Sequence, residues 1–144
     1  MAPIERGERK NLRNIELTKD FVINVVTETL AEAMNLTSAY YPREVSKFGK
    51  AGLTPIKADT VIAPMVAESP VKMECRVIQI IEFSKTPLTN SLVLGSVLRV
   101  HIADELWNKS TRRIEGLKSI ARLSGNGDIY CRTENTFQMK RPTI

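Results

Sequence analysis

VKMECRVIQIIEFSKTPLTNSLVLGSVLRVHI, residues 71–102, sets the architecture of this chain. It reads as two long strands, 71–82 and 92–102, joined by a turn-rich segment at 83–91. On the first strand Val71, Met73, Cys75, Val77 and Ile81 share a face, with Gln79 the exception. The other face starts polar as Lys72, Glu74 and Arg76 and turns apolar at Ile78 and Ile80. Side chains alternate across a strand, so this strand is expected to begin half exposed and to end buried on both faces. On the second strand Leu92, Leu94, Leu98, Val100 and Ile102 share a face with Ser96. Val93, Gly95, Val97, Arg99 and His101 share the other. A mid-strand glycine weakens a strand unless something must approach closely there, which marks Gly95.

Toward the N-terminus, residues 8–17 place Leu12, Ile15 and Leu17 at the spacing of a short amphipathic helix. The run FVINVV at 21–26 is β-branched and apolar on both faces apart from Asn24, as in a buried strand. Thr27 suits an N-cap, with Glu28 in the first turn favouring the dipole of a helix that runs to about Met34. Residues 39–42 break it, and 45–48 form a further helical turn stopped at Gly49. Residues 53–70 hold Pro55, Pro64 and Pro70 and read as a connector with extended pieces rather than central strands. Beyond the hairpin, Asp104 caps a turn through Trp107, and Ile114, Leu117 and Ala121 suggest a short helix. SGNGD at 124–128 is a turn signal. Residues 129–133 and 136–139 are short strand candidates.

A chain of 144 residues is one domain by length, and large enough to bury a sizeable core. Hydrophobic residues make up 42% and charged residues 26%, the balance of a globular protein. The net charge of +5 permits an anionic ligand or loose nucleic-acid binding. The cations are dispersed among acids and form no basic stripe, so nucleic-acid binding is not expected. Residues 1–10 lack the apolar core of a secretory signal, and no apolar run is long enough to span a bilayer. Cys75 and Cys131 make no disulfide framework and read as free thiols in a reducing, cytoplasmic setting. Their ordinary role is that of small buried hydrophobes.

Chemistry-bearing motifs are scarce. A single histidine rules out a two-histidine zinc site within one chain. There is no CxxC and no P-loop. Gly125-Asn126-Gly127 does not lie between a strand and a helix, so it is no dinucleotide fingerprint. Composition and periodicity alone give an α+β domain, mainly β, of open function.

The order of local motifs resembles one family. Leu12-Arg13-Asn14-Ile15 followed by Phe21-Val22-Ile23-Asn24-Val25-Val26 is similar to the "DTLRNI…FVVNVV" segment of the flavin reductase-like, FMN-binding split-barrel proteins. Ala51-Gly52-Leu53-Thr54-Pro55, Val66-Ala67-Glu68-Ser69-Pro70, Glu74-Cys75-Arg76, Val100-His101-Ile102 and Ala121-Arg122-Leu123-Ser124-Gly125 continue it in order. The match runs from about Arg9 onward. Two departures stand out. Members of the family begin with further barrel strands of the type "PRPIAWVST", to which nothing here corresponds. The family's Lys-Asp-Thr box falls on Arg9-Lys10-Asn11.

The resemblance implies a partial FMN-binding split β-barrel, antiparallel, with short flanking helices, in a single truncated domain over 1–144. Strands removed from a barrel leave an unpaired edge that invites association. The resemblance also implies an oxidoreductase using FMN, with NAD(P)H as hydride donor, in a cytoplasmic homodimer without nucleic-acid or membrane partners. The flavin carries that chemistry, and the protein supplies position and electrostatics. The alternative is a non-catalytic remnant or assembly module that binds no flavin. The cofactor-binding residues implied are Arg9, Asn11 and Asn14 for the phosphate, and His101, Ser124, Gly125 and Tyr130 nearer the flavin. Each has an ordinary reading beside this one: a solvated helix face, a strand-end histidine with a local hydrogen bond, and a plain turn. No catalytic residue and no metal ligand is assigned.

Overall fold

A computed structural model describes residues 10–42, 44–83, 91–123 and 128–143. The long hairpin is its centre. Strand β4 (Val71–Glu82) pairs antiparallel with β5 (Ser91–Ile102), and β1 (Asp20–Asn24) pairs antiparallel with the other side of β4, giving the order β1-β4-β5. Helix α1 (Lys10–Thr18) leads into β1. A 3-10 turn (Glu28–Leu30), α2 (Ala31–Thr37) and α3 (Lys47–Ala51) follow. Three two-stranded ribbons complete the described chain: β2 (Pro55–Ile56) with β3 (Met65–Val66), β6 (Trp107–Asn108) with β7 (Arg113–Ile114), and β8 (Ile120–Arg122) with β9 (Tyr130–Arg132). The architecture is mainly β with short helices and antiparallel sheets, and among the described residues no barrel closes.

Two irregularities reset the faces read from the sequence. Arg99 lies opposite Glu74 and Val97 opposite Cys75, so Leu98 is an extra residue on β5. Val77 lies opposite Gly95 and Gln79 opposite Leu94, so Ile78 is an extra residue on β4. A bulge breaks the period of two. Val97 and Val100 therefore share a face, opposite Cys75 and Met73, whereas strict alternation separates them.

The apolar face of the sheet carries Phe21, Ile23, Val71, Met73, Cys75, Val77, Val97 and Val100. Val71 and Cys75 are buried, but Ile23, Val97 and Val100 are 44–50% exposed. β1 is expected to be buried on both faces; among the described residues it is the edge strand of its sheet, and residues 21–26 are half-buried to exposed. The core is smaller than chain length suggests: Ala58, Val61 and Met65, with Val22 and Ala63 against them. It forms where the connector folds over the sheet.

That connector covers the polar face, not the apolar one. Lys72 and Glu74 were expected at a half-exposed surface, yet Glu74 is 0% exposed. The proline-containing connector cannot pair its N–H groups as a central strand would, and buried donors need acceptors. Side chains of β1 and β4 supply them.

Several boundaries shift for identifiable reasons. Thr27 makes no side-chain cap; its hydroxyl bonds Thr29 and its backbone bridges Ser119. The turn expected at 45–48 lies at Lys47–Ala51 and ends on Gly52 at φ 65°, the left-handed cap that glycine favours. The helix expected across 114–121 is not formed. Gly116 turns the chain at φ 73°, Ile114 pairs with Trp107, and Ile120 pairs with Arg132. The strand expected at 136–139 is irregular chain. Most of the turns expected at 83–91 and 124–128 lies outside the described residues.

Lys19 ends α1 at φ 58°. A left-handed conformation costs a side-chain-bearing residue about 1–2 kcal/mol, partly offset in glycine by backbone entropy. Lys19→Gly is expected to raise stability by about 0.5–1 kcal/mol, read as a higher urea midpoint at unchanged slope. An unchanged or lower midpoint would show that the lysine side chain stabilises more than the strain costs.

Candidate functional site

Glu74 is the most enclosed ionisable group among the described residues. One carboxylate oxygen accepts from the Asp59 N–H at 3.0 Å and from His101 Nε2 at 2.6 Å. The other accepts from the Thr60 N–H at 2.6 Å and from the Thr60 hydroxyl. Burial pushes this carboxyl's pKa up, but the Thr60 hydroxyl, the Asp59 N–H, His101 and the Thr60 N–H together outweigh it and hold the pKa at about 2. A carboxylate only accepts, so the proton of the shared bond lies on His101 Nε2, and Nδ1 is the ring's remaining position.

The same sheet face holds the rest of the connector. Asp20 Oδ2 accepts from the Ile62 N–H at 2.8 Å, and Asn24 Oδ1 from the Val66 N–H at 2.9 Å. Arg99 pairs with Asp59 at 2.6 Å, both side chains half exposed. Lys72 Nζ donates to the Ser69 carbonyl at 2.7 Å. Asp20 Oδ1 is buried without a protein partner. Beside it opens a cleft of about 450 Å3 with Lys19, Lys57, Asp20, Thr60 and Arg76 among its walls.

Donor atoms of Asp59, Glu74 and His101 lie within 4.8 Å of one another. The spacing suits a cation, but the donors are already engaged. Arg99 takes Asp59, and two backbone N–H groups, a hydroxyl and the imidazole take Glu74. The constellation is a clasp that fixes the loop around Asp59 and Thr60 and sets the imidazole.

The residues singled out from the sequence do not converge here. Asn11 and Asn14 are exposed on α1, three positions apart and so on one side of it. His101 belongs to the Glu74 clasp. Tyr130 is on β9, opposite Arg122, beside a smaller cavity of about 180 Å3 shared with Met34, Ile120 and Cys131. Arg132 of that strand bonds Glu28 through Nε at 2.9 Å. No hydrogen bond or ion pair joins Asn11, Asn14, His101 and Tyr130 to one another. Arg9, Ser124 and Gly125 lie outside the described residues. Glu74, Asp59, Thr60 and Asp20 escaped the sequence reading, although charged and amide side chains on otherwise apolar strands (Asp20, Asn24, Glu74) are a signal for buried acceptors.

Gly95 owes its place to Phe21. A Cβ there would stand 2.5 Å from Phe21 Cζ and 3.2 Å from the Arg76 carbonyl oxygen. The ring of Phe21, reaching across β4, fills the side-chain space above the glycine.

Residues 6–116 match the family of the flavin reductase like domain. The chain belongs to that family. Solved relatives place the flavin reductase-like chain further. It is 32% identical to nitrilotriacetate monooxygenase component B from Bacillus cereus, with a TM-score of 0.80, over 92% of this chain and 65% of that one. It is 28% identical to a 2-nitrobenzoate 2-nitroreductase from Pseudomonas fluorescens, with a TM-score of 0.81, over 94% and 66%. An uncharacterized protein of Halalkalibacterium halodurans is 35% identical over 135 residues, 92% of this chain and 63% of that protein. The chain thus spans less than two thirds of the length of each of these relatives. No helix among the described residues is long and apolar enough to cross a membrane.

Proposed function

We propose that the flavin reductase-like chain is the FMN-holding part of an oxidoreductase in which NAD(P)H reduces flavin, working as a cytoplasmic homodimer. The family match over residues 6–116, which takes in α1 and the whole Glu74–His101 clasp, carries the reading. Two relatives named for redox proteins, a monooxygenase component and a nitroreductase, support it.

α1 fits a phosphate. Its first turn holds no acidic residue, and Asn11 and Asn14 are exposed on it with amide side chains that can donate to a phosphate. With Arg9 they would hold the FMN phosphate. His101, Ser124, Gly125 and Tyr130 would lie toward the rest of the cofactor. Bound flavin would supply the hydride acceptor. The chain's own part is positional: Glu74 holds His101 in one tautomer and orientation, and fixes the loop at Asp59 and Thr60.

The second reading is a domain that folds and assembles without flavin. It is favoured by His101's engagement with Glu74 and by the half-exposed Ile23, Val97 and Val100 of the sheet.

FMN and riboflavin titrations separate the two. FMN is expected to bind with quenched fluorescence and to support NAD(P)H oxidation. The N11A/N14A variant is expected to weaken FMN roughly tenfold, the scale of one charge-assisted hydrogen bond, and to leave riboflavin unchanged. Equal weakening of both flavins would remove the phosphate assignment. No binding of either at saturating concentration would leave the second reading standing.

A further inference from the structure

Asp20 is 4% exposed, and only one of its oxygens is engaged. Oδ2 accepts from the Ile62 N–H at 2.8 Å, whereas Oδ1 is buried without a partner among the described residues. A carboxylate oxygen only accepts. Buried polar atoms are nearly always paired, so this one calls for a donor that the described chain does not supply. Asp20 is a wall of the cleft of about 450 Å3, a volume within the range of small-molecule sites.

The other walls indicate what carries that donor. Lys19, Lys57 and Arg76 stand around Asp20 and Asp59. Asp59 is taken by Arg99 at 2.6 Å. Arg76 Nη2 donates to the Thr60 carbonyl at 3.3 Å. Among the described residues the ammonium groups of Lys19 and Lys57 make no hydrogen bond or ion pair. The three cations favour an oxyanion, and the orphan acceptor requires a hydroxyl or N–H on the same ligand. A ribose phosphate carries both, and a carboxylate on a ribose hydroxyl is a recurrent form of nucleotide recognition. Val61 and Ile62 give the cleft an apolar side for a base. Lys19 adds an independent sign. Its φ of 58° is one that glycine favours, and a side chain retained at a strained position points to a task for that side chain.

We propose that this cleft binds the ribose phosphate of a nucleotide, with Lys19, Lys57 and Arg76 on the phosphate and Asp20 Oδ1 accepting from a ribose hydroxyl. The three cations are exposed, and exposed side chains change rotamer rapidly, so they part to admit the ligand to the buried oxygen. Lys19 follows the last residue of α1, about 10 Å along the helix from Asn11, so the cleft is apart from the FMN phosphate position proposed above. The inference goes beyond that reading and does not depend on it. The ribose phosphate belongs either to a free mononucleotide or to the adenosine half of a dinucleotide.

Calorimetric titration with AMP, which holds neither flavin nor nicotinamide, tests the site separately from any flavin reading. AMP is expected to bind roughly tenfold or more tighter than inorganic phosphate or adenosine, the scale of one charge-assisted hydrogen bond. Lys19→Gly is expected to raise the urea midpoint, as above, yet to weaken AMP roughly tenfold; a merely structural lysine would not separate the two. Asp20→Asn keeps an oxygen for the Ile62 N–H but sets an NH2 group where the hydroxyl donates. It is expected to weaken AMP roughly tenfold and to leave inorganic phosphate unchanged. Saturating FMN is expected to leave AMP affinity unchanged. ADP-ribose binding tighter than AMP assigns the dinucleotide source and equal binding the mononucleotide, and either upholds the site. AMP no tighter than phosphate, AMP affinity unchanged in Lys19→Gly, equal weakening of AMP and phosphate in Asp20→Asn, or displacement of AMP by FMN would each overturn the proposal.

Discussion

Glu74→Ala is expected to cost about 3–5 kcal/mol of folding stability, the largest single-site loss foreseen for this chain. The truncation removes the shared acceptor of four donors: the Asp59 N–H, the Thr60 N–H, the Thr60 hydroxyl and His101 Nε2. At a fully buried position water does not replace them easily, and unmet buried donors cost more than the bonds themselves contribute. Glu74→Gln keeps an acceptor oxygen but sets an NH2 group against donors, so a loss of about 1–3 kcal/mol is expected. Urea unfolding measures both, as a lower midpoint at constant slope. A loss below about 1 kcal/mol in the alanine variant would mean that the loop holds itself without the clasp.

The same residue gives a pH dependence of known sign. Its folded pKa of about 2 lies below the ordinary value of 4.5. Where the unfolded chain binds more protons, stability rises with pH. Glu74's contribution is therefore complete above about 4.5, declines as pH falls from there toward 2, and is gone below both values. The wild-type chain is expected to lose stability through that window, and Glu74→Gln to show a shallower slope. Parallel slopes would assign the acid sensitivity to other carboxylates.

Gly95→Ala is expected to destabilise by about 1–3 kcal/mol, although alanine for glycine in a strand interior is ordinarily favourable by about 0.5–1 kcal/mol. The added methyl group would stand 2.5 and 2.7 Å from Phe21 Cζ and Cε1, inside any acceptable carbon–carbon contact. Rotating the ring away relieves that clash but uncovers the sheet, and the Arg76 carbonyl at 3.2 Å belongs to backbone that cannot rotate. In a Phe21→Ala background the same substitution is expected to cost clearly less, leaving only the crowding against the Arg76 carbonyl. Denaturant midpoints of the four chains of this cycle give the coupling directly. Additive effects would show that the ring does not rest on the glycine.

The elements legible in the sequence were those set by local pattern. The long strands at 71–82 and 92–102, the strand around FVIN and the helix before it all follow from runs and spacings within ten or so residues. Gly95 was legible as a position of close approach, but its neighbour was not, because Phe21 reaches it from a strand that the sequence cannot place beside β4. The expected helix across 114–121 failed because three apolar residues at helical spacing also suit two ribbon strands, and Gly116 selects the latter. Of the candidate site, His101 was legible as a polar residue on a strand face. Its partner was not, because Glu74 sits 27 positions away, two register steps along the facing strand.

Sequence alone thus determined the family, through an ordered series of short motifs, and the strand-rich character of the chain, through alternation and β-branched runs. Long-range contacts set which side chains of the sheet are buried. The connector at 53–70 carries N–H groups that its own prolines keep out of a central strand. Its acceptors are Glu74, 14 and 15 positions from the donors, and Asp20 and Asn24, 42 positions away. Desolvating those donors without acceptors costs more than exposing valine and isoleucine, so the polar face of β1 and β4 turns inward, while on the other face Val71 and Cys75 are buried and Ile23, Val97 and Val100 stay about half exposed. No local periodicity records that balance.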